Sequence, residues 1–111
     1  MRRAARKDDN HGTIADVFLA LDCSVLDISA TPCGFDVVVG YKTQAILVEI
    51  KNPEQPLSKQ KLTPNEFSAH LNWRGPKAIV STNEHAIAVV KKLREQHFAV
   101  MEGNMADRLG A

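Results

Sequence analysis

At 111 residues, 44% of them hydrophobic, the chain has material for one domain with a single core. Its 14 lysines and arginines nearly balance 13 aspartates and glutamates, leaving a formal net charge of +1; no global field advertises a polyanionic partner, and local clusters must make that case. No apolar run approaches the about 20 residues that cross a bilayer, Cys23 and Cys33 lack the paired spacing of a zinc site, and no signal peptide opens the chain. A cytoplasmic protein with reduced thiols, no membrane contact and no small-molecule cofactor is expected.

The chain opens on a basic arm, residues 1–7, with Arg2, Arg3, Arg6 and Lys7. Such an arm is solvated when free and can order on a phosphate backbone. Asp8 or Asp9 then caps a helix whose Ile14, Val17, Phe18 and Leu21 fall on one face. His11, in its first turn, is expected at the surface, with a general-base role as the alternative. Val25, Leu26 and Ile28 suggest a first strand, and the loop from Ser29 to Gly34 delivers the chain to Asp36. Gly34 either allows close approach of metal or phosphate or is a plain turn glycine.

The Val37-Val38-Val39 run and the Ala45-Ile46-Leu47-Val48 run, separated by Gly40-Tyr41-Lys42-Thr43, read as a hairpin. Alternation puts Glu49 and Lys51 on one face, their Cα atoms about 6.5–7 Å apart. The turn brings Asp36 within about 5–8 Å of Glu49. Two carboxylates so close repel, and a divalent cation relieves them. Oxygen-only ligation suits Mg²⁺ or Mn²⁺. Lys51 then faces the same site, where it can stabilise a pentacoordinate phosphate or orient water. An ion pair on a frayed strand is the alternative for an isolated Glu-x-Lys.

After Lys51, two prolines among polar residues predict a loop over 52–61, from which Lys59 and Lys61 can meet phosphate or simply face solvent. Thr63-Pro64-Asn65-Glu66 predicts a helix start with a capping box, continuing through Phe67, His70 and Leu71, with His70 packing on Trp73. Lys77–Ser81 reads as a further strand. Asn83 is expected to cap a last helix with Ala86, Ile87, Val90 and Leu93 inward and Lys91, Lys92 and Arg94 outward. His97–Met101 would add a short edge strand, and residues 102–111 a flexible tail. The order αβββαβα implies an α/β domain over residues 8–101, with a mixed four- to five-stranded sheet flanked by helices.

The order Asp36…Glu49-Ile50-Lys51 on a hairpin resembles the PD-(D/E)XK nuclease superfamily, and within it small stand-alone VRR-NUC proteins of phages and bacteria and Holliday-junction resolvases. The resemblance runs from about Asp8 to about Arg94, taking in Gly34-Phe35-Asp36, Val48-Glu49-Ile50-Lys51, Lys61-Leu62-Thr63-Pro64-Asn65-Glu66 and Trp73-Arg74-Gly75. It departs at Phe35, where a proline is usual, and in lacking the glutamate near the first helix start, where Asn10 and His11 stand and could support the metal ligands from behind. What it implies is a restriction-endonuclease-like core and a Mg²⁺-dependent deoxyribonuclease acting on branched DNA. Asp36, Glu49 and the Ile50 carbonyl would be metal ligands, and Asp36, Glu49 and Lys51 the catalytic trio. It also implies a homodimer; Phe98, Val100, Met101 and Trp73 are the apolar candidates for that interface. The alternatives are a non-catalytic nucleic-acid-binding module on the same fold and an accessory protein whose trio is a surface ion-pair cluster.

Overall fold

The computed structural model describes residues 11–108, with side chains described through His97. Helix α1 (His11–Ala20) leads into strand β1 (Ser24–Asp27), then β2 (Val37–Tyr41) and β3 (Gln44–Ile50). A one-turn helix α2 (Leu57–Gln60), helix α3 (Pro64–Asn72), strand β4 (Lys77–Val80) and a long helix α4 (Asn83–Arg108) complete the chain. The sheet order is β1-β2-β3-β4, antiparallel at the first two junctions and parallel at the third. The result is an α/β domain with a four-stranded mixed sheet flanked by helices.

The two faces of the sheet follow from alternation. Val37, Val39, Tyr41, Ile46, Val48, Ile50 and Val80 are buried on one face against Ile14 and Phe18 of α1 and Ala86, Val90 and Leu93 of α4. Seven of these side chains, Phe18, Ile14, Ile50, Val37, Val39, Val48 and Val80, are essentially sealed from solvent. Sealing each contributes about 1.5–3 kcal/mol relative to exposure. The opposite parity, with Glu49 and Lys51, turns toward α3. The hairpin turns through Lys42 and Thr43, with Lys42 at φ 56°. Gln44 Nε2 donates to the Leu93 carbonyl at 2.6 Å and ties the start of β3 to α4.

Several expectations give way. The segment 97–101 is helix, not strand: no glycine or proline lies between Asn83 and Glu102 to stop a helix already formed over Lys91–Gln96. Helix α4 runs on to Arg108, into the segment expected as a tail; the side chains of Phe98, Val100 and Met101 lie outside the described ones. Its cap is Thr82, whose Oγ1 accepts the His85 N–H at 3.0 Å, one residue before Asn83. Ile87 faces solvent. Residues 52–61 are not all loop, since α2 closes one turn there, without a side-chain cap. The proposed caps Asp8 and Asp9 lie outside the described residues.

Candidate active site at the end of the hairpin

Asp36 enters β2 beside the end of β3. Its N–H donates to the Val48 carbonyl at 2.9 Å, and its Oδ2 accepts the Ile50 N–H at 2.7 Å. The carboxylate thus takes over a bond that the ladder would have supplied, which fixes it against the Glu49–Lys51 segment. Glu49 and Lys51 share a face as alternation requires, with Nζ 3.3 Å from Oε2 and both side chains nearly buried. The Lys51 N–H donates to the Val80 carbonyl at 3.0 Å, holding the end of β3 to β4. Ile50 sits between them with its side chain in the core.

A further acid completes the cluster. Glu66 Oε1 accepts from Lys51 Nζ at 2.9 Å and also from the Thr63 N–H at 2.8 Å. The capping box that starts α3 is formed as expected, Thr63 Oγ1 accepting the Glu66 N–H at 3.2 Å. The capping reading accounted for Glu66 fully, so nothing in the sequence signalled its second contact, across fifteen residues, with Lys51.

The charges here are not balanced. Burial, the Asp36 charge and a hydrogen bond to Glu66 push the Glu49 carboxyl up to about 9. Burial alone would raise Glu66 and lower Lys51. It is overridden for Glu66 by the Thr63 N–H and Lys51, which bring it down, and for Lys51 by Glu66 and Glu49, which bring it up. The Glu49 carboxyl therefore holds its proton more tightly than a free carboxyl, and the Lys51 ammonium lies between Glu66 and Glu49.

This donor set fits Mg²⁺ or Mn²⁺: it is oxygen only, and a buried carboxyl forced to keep its proton is relieved when a dication replaces that proton. Among the described residues no three His, Cys, Asp or Glu side chains form a ready-made ligand group, so Asp36, Glu49 and the Ile50 carbonyl would be completed by water and substrate oxygen.

Gly34 makes room for α3. It has φ +88°, and a Cβ there would stand 2.4 Å from the Ala69 Cβ. Beside it the Phe35 ring stacks on His70, centroids 4.2 Å apart, so His70 does not pair with Trp73. Burial, then the Lys77 charge, keeps His70 neutral by lowering its pKa; its Nε2 is buried without a hydrogen-bond partner. The stack pins α3 to the residue before Asp36. Sequence reasoning did not find it, because a stack between residues this far apart leaves no local pattern.

His11 is buried, not exposed, and its described partner is Asp27 of β1 at 3.7 Å. The sheet order places β2 between that strand and Glu49, while Asp36, just ahead of β2, lies next to β1, its carbonyl accepting the Ile28 N–H at 2.9 Å. Lys59, in α2, and Lys61, just after it, are exposed between β3 and α3. Arg2, Arg3, Arg6, Lys7 and Asn10 lie outside the described residues. No helix among the described residues is long and apolar enough to cross a membrane. Compared with protein-family models, curated proteins and solved structures, the chain matches none.

Proposed function

We propose that this protein is a divalent-metal-dependent DNA endonuclease that hydrolyses phosphodiester bonds, on branched DNA of the Holliday-junction kind. One observation carries the reading: Asp36, Glu49 and Lys51 converge at one end of a sheet, where burial and the Asp36 charge raise the Glu49 carboxyl. Asp36, Glu49 and the Ile50 carbonyl would hold Mg²⁺ or Mn²⁺, which would supply Lewis acidity toward a phosphate oxygen. Lys51 remains protonated because Glu66 and Glu49 flank it; its ammonium stabilises negative charge that builds on the phosphate and orients the attacking water. Glu66 fixes the position of that ammonium from the cap of α3. The Asp36 bond to the Ile50 N–H keeps the two metal-binding strands in register.

The test incubates purified protein with end-labelled linear, flap and four-way-junction DNA, with and without Mg²⁺ or Mn²⁺. Metal-dependent incision, strongest on the junction, is the expected result; no incision of any substrate would sink the reading. The second reading, a non-catalytic nucleic-acid-binding module, is favoured by Lys51 being paired on both sides, to Glu49 and Glu66. In that case the same DNA is bound and left intact.

A further inference from the structure

The helix that carries Glu66 also carries apolar side chains that the fold does not use. Phe67 and Leu71, one turn apart on α3, are 59% and 69% exposed, and Trp73, at its end, is 44% exposed. The tryptophan is built in rather than adrift. Its Nε1 donates to the Pro76 carbonyl at 3.1 Å, and that carbonyl also accepts the Leu47 N–H of β3 at 3.2 Å. Gly75 lies so close to the indole that a Cβ there would stand 2.9 Å from Nε1. Lys77 Nζ donates to the Trp73 carbonyl at 2.8 Å and to that of His70. The ring is therefore bolted to the start of β4 with nearly half its surface in water.

The charge around this ridge selects its occupant. Residues 57–77 hold four basic side chains, Lys59, Lys61, Arg74 and Lys77, against one acid, Glu66, which is already committed to Lys51. The chain as a whole carries only +1, so this segment, which bears the exposed rings, is more positive than the chain as a whole. Flat apolar surface beside lysine and arginine suits unpaired nucleotides, whose bases stack on aromatic rings while their phosphates meet the cations. Paired bases hide those faces.

We propose that the α3 ridge of Phe67, Leu71 and Trp73, with Lys59, Lys61 and Arg74, is a binding platform for unpaired DNA bases. Trp73 is the stacking surface. The platform rests on the reading of this protein as acting on DNA and narrows it: Trp73 lies about 10 Å along α3 from Glu66, and only an unpaired base can stack on its ring.

Trp73 is the chain's single tryptophan, so its emission reports the platform directly. Titrating the full chain in EDTA with a thymidine dodecamer is expected to quench the emission, and a blunt hairpin duplex of equal phosphate number to quench it far less. By anisotropy of a labelled dodecamer, Trp73→Leu should weaken binding about tenfold, and Trp73→Phe, which restores a ring, should recover most of it. Equal quenching by duplex and single strand overturns the proposal, as does Trp73→Leu with unchanged affinity. Emission that shifts with protein concentration but not with DNA assigns the ridge to a second copy and overturns it as well. Binding is read without metal, so absent cleavage with intact quenching counts against the nuclease reading alone, whereas cleavage without quenching counts against the platform alone.

Discussion

Asp36 and Glu49 are tied into the fold in different ways, and their substitutions should separate chemistry from stability. Asp36→Asn keeps an oxygen for the Ile50 N–H; it should abolish cleavage with little loss of stability, whereas Asp36→Ala leaves that N–H unpaired and should cost about 1–3 kcal/mol in urea unfolding. Glu49 behaves oppositely. Its folded pKa, about 9, lies above its unfolded value near 4.5, so the native state holds a proton that the unfolded chain has lost between those values. Stability from this group is fully present below about pH 4.5 and drains away as pH rises toward 9. In EDTA the melting temperature should fall between pH 6 and pH 9, and Glu49→Gln, which mimics the neutral acid, should flatten that fall and stabilise the protein by about 1–3 kcal/mol near pH 8. Cleavage should be lost in the same variant. A parent and Glu49→Gln protein with superimposable melting profiles would mean that Glu49 is ionised after all.

At the scale of elements, α3 is the part that makes a hairpin into a site. Gly34→Ala meets both a left-handed φ and the Ala69 side chain, and should cost more than about 2 kcal/mol by chemical denaturation. Adding Ala69→Gly should recover the steric share and leave the conformational share. The strands around the trio were legible because β-branched runs and a polar turn are local signals, and the capping box of α3 was legible for the same reason. The last strand was misread since His97-Phe98-Ala99-Val100-Met101 has strand-like composition. What decided it was the uninterrupted helix before it, which no five-residue window contains. Glu66 on Lys51, Phe35 on His70 and His11 on Asp27 are contacts between elements, invisible to any periodicity.

For the molecule as a whole, charge and assembly make the predictions. DNA affinity should fall steeply with salt as phosphate contacts release counterions, and deleting residues 1–7 should weaken binding to every sequence alike and flatten the slope. An unchanged slope would show that the arm does not touch DNA. Two strands cut symmetrically at a junction call for two like-oriented sites, so light scattering should report about twice the 12.2 kDa chain mass. A monomer that nicks linear duplex would point to a simpler nickase.

The described contacts among Asp36, Glu49, Lys51 and Glu66 lie within the hairpin and helix α3. The packing of α1 on α4, by contrast, joins opposite ends of the chain. Closing a short loop costs less entropy than closing a long one, so the hairpin and its acids can meet while the two long-range helices are still searching for each other. In hydrogen exchange the Ile50 amide, sealed by Asp36, should outlast the ends of α1. The candidate site is written into a short, contiguous piece of chain, and the terminal helices supply the core beneath it: a local cluster resting on a long-range foundation.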